Sequence, residues 1–437
     1  MGLTRNLVFI GLLNIVTFHK TTLKNGLRVI VVPKKESFSV NLLILVGVGS
    51  NYETKDIMGI SHFVEHMSFK GTKKRPRAID LSSELDALGT EYNAFTSREF
   101  TGYYVSCLPD KIDKALDILS DMYLNPVFDE AEIEKEKGVI GEEINRASDT
   151  PSRRVQDIFS ELVYGDSAYG WSTLGTKEIL KKISRQDFLS YQKKFYHTEN
   201  TVIAVAGNLE HQDVLKKIEN FFSGALEGKG RPKAEIKEKQ SGPELRLVYR
   251  KGEQTNIVLG FRTFGFSHKD YFTAEILAGI LGGTMSSRLF QKVREEMGAA
   301  YSIGAYQTGF TNYGHLGIVG GIQSKQLKEV IRVILAEINI LKSELVDEKE
   351  MDRVKDSLIG TTYLNLETPS SLAEFYGIQE VRGEPIITPE EFGKKIKEVS
   401  ALDVKKLAKK IFVNNSMNLA ILGPHKNTQE FVDILSL

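Results

Sequence analysis

The chain has 437 residues, with 57 Lys and Arg balanced by 57 Asp and Glu and 41% hydrophobic residues. This composition excludes disorder, collagen and a coiled coil, and at about 150 residues per domain it allows two to three domains with their own cores. Zero formal net charge gives no electrostatic reason to expect nucleic acid or an anionic membrane as partner.

Residues 7–16 form the longest apolar stretch, broken by Gly11 and Asn14 and too short for the roughly 20 residues of a membrane span. The stretch follows Arg5 as a weak signal peptide would, but no small-residue cleavage site comes after it. Cys107 is the only cysteine, so no intrachain disulfide or thiolate metal cluster is possible. Together these favour a reducing, cytoplasmic location over secretion. Residues 27–32 and 40–46 are β-branched apolar runs and are predicted as paired strands. A helical segment follows at 57–69. Residues 90–96 and 101–108 read as strands, with Cys107 a buried residue of the second. Apolar positions at i, i+3, i+4 and i+7 predict amphipathic helices over 112–123 and 130–146. Strands and helices mix without strict βαβ alternation, which is the pattern of an α+β fold.

Residues 226–242, with Gly228, Gly230, Pro232 and alternating Lys and Glu, have the composition of a linker. The segments on its two sides repeat. Val40-Asn41-Leu42-Leu43-Ile44-Leu45 matches Thr255-Asn256-Ile257-Val258-Leu259-Gly260 at an offset of 215 residues. Ile203-Ala204-Val205-Ala206-Gly207 matches Leu419-Ala420-Ile421-Leu422-Gly423 at 216, and Asp129-Glu130-Ala131-Glu132-Ile133 matches Asp347-Glu348-Lys349-Glu350-Met351 at 218. Near-constant offsets predict two copies of one fold, 17–225 and 243–437, joined by the linker.

The chemistry concentrates at His62-Phe63-Val64-Glu65-His66. On a helix, four residues bring His66 back to within about 40° of His62, so two imidazoles share a face and can share a metal. Glu65 lies about 60° to the other side of His62, placed to reach a water rather than the metal. This is the reversed zincin motif, His-x-x-Glu-His. Two imidazoles and one carboxylate leave a zinc position open, as catalytic zinc requires. A third ligand must come from elsewhere, and Glu134, Glu136, Glu142 and Glu143 crowd the helix predicted over 130–146. Glu136 and Glu143 share a face within about 20°, while Glu142 points roughly 100° away. A Glu/Lys-rich helix also has a plainer reading, as a solvated surface.

The motif resembles the pitrilysin and mitochondrial-processing-peptidase superfamily, whose His-x-x-Glu-His is followed after about 76 residues by Glu; here 76 residues separate His66 from Glu143. The resemblance implies that His62, His66 and Glu143 bind one Zn2+ per chain, that Glu65 is the general base and that Glu136, seven residues before Glu143, supports the site. Asn93-Ala94-Phe95-Thr96 resembles the family's edge strand, on which an extended peptide adds as another strand, so Asn93 and Ala94 are expected to bind substrate. Arg294 and Tyr301 resemble the pair in the second half that reaches substrate and oxyanion. Gly89-Thr90 departs from the family's commoner Gly-Gly.

At the repeat offsets His62 and His66 fall on Leu277 and Leu281, and Glu136 and Glu143 on Val354 and Thr361, so the second copy lacks a metal site. The resemblance therefore implies two α/β-roll halves with mainly antiparallel sheets, one catalytic and one inactive, enclosing a chamber. It further implies a zinc endopeptidase for extended or presequence-like peptides, of the short-chain subgroup that works as a homodimer or as a heterodimer with an inactive homologue. The alternative function is a silent subunit that binds or presents peptides.

Overall fold

The computed structural model describes residues 17–230, 233, 236 and 240–437, so the apolar stretch 7–16 and part of the 226–242 segment lie outside it. Two mixed sheets organise the chain. The first contains β1 (His19–Thr22), β2 (Arg28–Pro33), β3 (Val40–Val46), β4 (Glu91–Thr96), β5 (Thr101–Cys107) and β6 (Thr201–Gly207) in the order β1-β2-β6-β3-β5-β4. The second contains β7 (Glu244–Tyr249), β8 (Gln254–Thr263), β9 (Ala300–Gly309), β10 (Gly314–Gln323) and β11 (Met417–Gly423) in the order β7-β11-β8-β10-β9. β6 runs parallel to β2 and antiparallel to β3, and β11 stands in the same relation to β7 and β8. The repeated segments of the sequence therefore occupy equivalent places in two copies of one α+β fold.

One expectation fails. Residues 27–32 and 40–46 do form strands, but they do not pair with each other, because β6 lies between them. β6 is buried at every residue, and a strand apolar on both faces belongs in a sheet's interior. Alternation and β-branching reveal that a segment is a strand without revealing its neighbour. Cys107 is buried at the end of β5, where burial pushes its thiol up to about 11, far from a reactive thiolate.

Helices Ile60–Met67, Ile112–Leu124, Glu130–Asp149 and Arg185–Phe195 cover one face of the first sheet, joining Phe63, Met67, Ile133 and Ile140 to Val29, Leu42 and Ile44 in one core. The opposite face, with Ile30, Leu43, Leu45 and Ala204, is closed by Leu372, Ala373 and Tyr376 of helix Pro369–Val381, which comes from the other half. Gly377 makes that approach possible, since a Cβ there would stand 2.9 Å from both Ala204 Cβ and Leu45 Cδ1. The exchange is reciprocal. Val155, Ile158, Phe159 and Val163 of helix Pro151–Tyr164 cover Val258, Ala420 and Leu422 of the second sheet. Both exchanged helices start on Thr-Pro-Ser, at 150–152 and 368–370, with Thr at the cap and Pro in the first turn, where its missing N–H costs nothing. Among the described residues, no helix is long and apolar enough to cross a membrane.

Candidate active site

Helix Ile60–Met67 starts at Gly59, whose φ of 91° lies in the left-handed region. A Cβ there would meet Leu174 O at 2.7 Å, so the loop through Leu174 fixes where the helix begins. Glu53 fills the role of a cap. Its Oε2 accepts from Gly59 N at 2.7 Å, and its Oε1 accepts from Ser61 N at 2.8 Å and Ser61 Oγ at 2.6 Å. Three donors and the positive end of the helix converge on this buried carboxyl, which burial nonetheless pushes up to about 7. Ser61 Oγ is also within 2.7 Å of Tyr191 OH, tying the helix to Arg185–Phe195. With Phe63, Val64 and Met67 anchored in the core, His62, Glu65 and His66 are left on the opposite face.

Helix Glu130–Asp149 begins at Asp129, whose side chain accepts from Ala131 N and Glu132 N. Ile133 and Ile140 pack inward, and the adjoining face carries Glu136 and Glu143 to the histidines. His62 Nε2 and His66 Nε2 are 3.2 Å apart, and Glu143 Oε2 is 3.5 Å from the first and 3.8 Å from the second. Ligands about 2.1 Å from a tetrahedral zinc stand roughly 3.4 Å from one another, so the three atoms fit that ion. Among the described residues this is the one group of three His, Cys, Asp or Glu placed to share a metal. Glu142, the rival carboxylate, instead accepts from Asn145 Nδ2 at 3.3 Å.

The electrostatics favour the ligand forms. Burial, reinforced by His66, holds the His62 imidazole down to about 3, leaving it neutral at physiological pH. Glu136 Oε1 lies 2.8 Å from His66 Nδ1 and its Oε2 lies 2.7 Å from Lys70 Nζ. Burial raises the Glu136 carboxyl, but the His66 and Lys70 contacts outweigh this and hold it below the ordinary range. An ionised Glu136 accepts the Nδ1 proton of His66 and so turns the Nε2 lone pair towards Glu143 and His62. Glu65 is held by Thr96, whose Oγ1 donates to Oε2 at 2.5 Å, while burial pushes the carboxyl up.

Thr96 ends β4, which among the described residues pairs only with β5 and leaves one edge of the first sheet open. Asn93 and Ala94 lie on this strand, and Asn93 Oδ1 accepts from Ala94 N at 2.9 Å. Thr90 precedes the strand and donates to Leu85 O at 2.8 Å.

Arg294 and Tyr301 lie together in the second half. Arg294 sits in the π-helical turn Phe290–Glu296, with its guanidinium 4.8 Å from the Phe290 ring centre and 5.5 Å from that of Tyr301. Tyr301 is the second residue of β9 and is 81% exposed. Among the described residues, no ion pair of Arg294 reaches the cluster; its partner is Glu295 at 3.8 Å. In the second half, Leu277, Leu281 and Val354 lie in the core, hydrocarbon standing where the first half carries imidazole and carboxylate.

A family model described as insulinase (peptidase family M16) matches residues 28–177, and one described as the peptidase M16 inactive domain matches 182–358. The uncharacterized zinc protease YmxG of Bacillus subtilis is 35% identical over 407 residues, covering 93% of this chain and 98% of its own. The chain belongs to peptidase family M16. Another M16-like relative, an uncharacterized zinc protease of Streptomyces coelicolor, is 32% identical over 419 residues, 94% of this chain and 91% of its own. Among solved structures, a protease from Helicobacter pylori superposes with a TM-score of 0.88 at 23% identity, covering 94% of this chain and all of that one. A peptidase M16 inactive domain from Pseudomonas fluorescens gives 0.86 at 19%, covering 94% and 98%. The M16 fold is thus shared along nearly the whole chain, and the relatives' names carry zinc and peptidase chemistry.

Two residues that hold the M16 site together were not apparent from the sequence, Glu53 and Lys70, and Thr96 was placed on the edge strand without its bond to Glu65. Glu53 is a lone acid in a loop, and its only signal is a position shortly before a glycine-led helix. Lys70 lies one turn beyond His66, a spacing that fits a partner for Glu136 once the two helices are known to meet.

Proposed function

We propose that this M16 chain is a zinc-dependent endopeptidase that holds one zinc on His62, His66 and Glu143 and hydrolyses extended or presequence-like peptides. The observation that carries the reading is the set of three ligand atoms 3.2–3.8 Å apart with Glu65 beside them. Zinc bound by three protein ligands supplies a Lewis acid and an acidified water. Glu65 takes a proton from the attacking water and delivers it to the leaving amine, and a buried carboxyl with a raised pKa suits both halves of that transfer. Thr96 keeps Glu65 oriented, and Glu136 keeps His66 in the ligating tautomer.

A peptide lying along β4 gains backbone hydrogen bonds at the open edge, with Ala94 N–H released from Asn93. This end of the strand leads directly to Glu65 through Thr96. Arg294 and Tyr301 contact the substrate and the developing oxyanion from the second half. A silent, peptide-presenting subunit is the competing reading, favoured by the likeness to an M16 inactive domain. The complete set of ligands and base speaks for the enzyme.

Glu65→Gln keeps size and the Thr96 hydrogen bond but cannot take a proton. Hydrolysis of an unstructured peptide library should fall at least about 100-fold with zinc retained, whereas His66→Ala and Glu143→Ala should lose zinc and activity together. Arg294→Ala or Tyr301→Phe should lower turnover with metal content unchanged. Full turnover by Glu65→Gln would refute the peptidase reading.

A further inference from the structure

A cavity of about 410 Å³ in the second half shares no residue with the histidine–glutamate site. That volume is in the range of small-molecule sites. Its apolar wall is made by Phe272, Phe375, Ile378 and Phe392, with the Phe272 and Phe392 rings edge to face at 5.7 Å. Phe375 and Ile378 belong to the exchanged helix Pro369–Val381 and pack at the margin of the first sheet's core, so the helix that closes that sheet also lines the cavity.

Two half-buried charged side chains of opposite sign line the same cavity, neither with a hydrogen-bond or ion-pair partner among the described residues. The Arg382 guanidinium lies 4.9 Å from the ring centre of Phe266 and 5.4 Å from that of Phe100, and its Nε is buried with no hydrogen-bond partner. It forms no ion pair with any described residue. Two positions on, Glu384 Oε1 is likewise buried and without a partner. Arg382 is near enough to stabilise the Glu384 anion, yet burial dominates and pushes that carboxyl up to about 8. The loop that carries them is fixed in place: Gln379 Oε1 accepts from Ile387 N at 2.9 Å, and its Nε2 donates to Phe375 O at 2.9 Å.

Half-burying a carboxyl and a guanidinium at one cavity, each with a buried atom left unpaired, is unfavourable unless something supplies both complements. An ammonium answers Glu384, and a carboxylate answers the planar donors of Arg382. One small molecule that carries both charges on neighbouring atoms, with an apolar group for the ring-lined remainder, satisfies the whole cavity. We propose that this cavity binds a free α-amino acid with an aromatic side chain, its ammonium on Glu384 and its carboxylate on Arg382. Glu374, on the same wall, offers a second acceptor for the ammonium. The ligand contacts both the exchanged helix and, through the Arg382–Phe100 stack, a residue of the first half.

The test is calorimetric titration of the full chain with L-phenylalanine, with phenethylamine and 3-phenylpropionate as analogues lacking one charge each. Saturable binding is expected for the amino acid, with both analogues at least about tenfold weaker, since each leaves one buried charge unanswered. Glu384→Gln should weaken the amino acid at least about tenfold while leaving peptide hydrolysis and zinc content unchanged. The analogue comparison needs no variant, so a folding defect in one cannot decide the matter. No saturable binding up to about 10 mM, or equal binding of either analogue, overturns the proposal. Because binding is read without turnover, this outcome is independent of the peptidase reading.

Discussion

Glu136→Gln isolates the role of one charge behind a metal ligand. The substitution preserves shape and an acceptor oxygen but removes the negative charge on which His66 Nδ1, at 2.8 Å, and Lys70 Nζ, at 2.7 Å, converge. Hydrogen bonds to charged groups contribute about 1.5–3 kcal/mol, roughly twice their neutral counterparts. Lys70 is partly exposed and regains solvation from water, so the loss that counts falls on His66, about 1–2 kcal/mol. That loss passes through the imidazole to Nε2, and at 1.4 kcal/mol per decade it weakens zinc binding by roughly tenfold or a little more, the low end of the 10–100-fold seen for such supporting groups. Glu136→Ala should cost more, because His66 Nδ1 then faces a buried void. Competition for zinc against a chromophoric chelator, with helix content by circular dichroism as control, measures the effect. A zinc Kd within twofold of the parent's would refute the claim that the carboxylate charge tunes His66.

Tyr376→Ala removes a fully buried ring that stacks on Phe18 at 4.8 Å and closes the first sheet, and urea titration should show a loss of about 3–5 kcal/mol. A loss below about 1 kcal/mol would mean that the exchanged helix is dispensable. Gly59→Ala must strain a left-handed backbone against Leu174 O, at about 1–3 kcal/mol, and should also weaken zinc because the start of the ligand helix is displaced. Unchanged zinc affinity and melting would contradict the role assigned to that contact. His315 is held down to about 3 by burial, against 6.5 unfolded. On acidification the unfolded chain takes the proton first, so stability falls by about 2 kcal/mol between pH 7 and 5 on this account. His315→Phe should flatten that limb, and denaturation curves with the same acid slope in both proteins would exclude it.

The site was far more legible in the sequence than the topology. The two imidazoles and Glu65 could be read because helical periodicity is local; periodicity also put Glu136 and Glu143 on one face, but their roles came only through the family resemblance, and two helices carry all five. The interposition of β6 between β2 and β3 could not, since hydrophobic patterning marks strands but not which strands neighbour which. The exchanged helices left a trace in the paired Thr-Pro-Ser segments 218 residues apart, yet a cap announces where a helix starts, not which sheet it covers. Glu53 was invisible for a related reason: its three hydrogen bonds depend on a chain reversal that brings a loop carboxyl back over the helix start.

The reciprocal exchange also constrains how the chain is made. The first sheet has all its strands once β6 is synthesised, but its second apolar face stays open until helix Pro369–Val381 emerges, some 170 residues later. At 5–20 residues per second this face is exposed for on the order of ten to thirty-five seconds on the ribosome. During that interval Ile30, Leu43 and Leu45 form an adhesive apolar surface that invites either a chaperone or the matching helix of another nascent chain. A helix borrowed from a second chain would produce a domain-swapped dimer with the same packing at both sheets, so synthesis rate and chaperone supply bear directly on the yield of chains closed by their own helices.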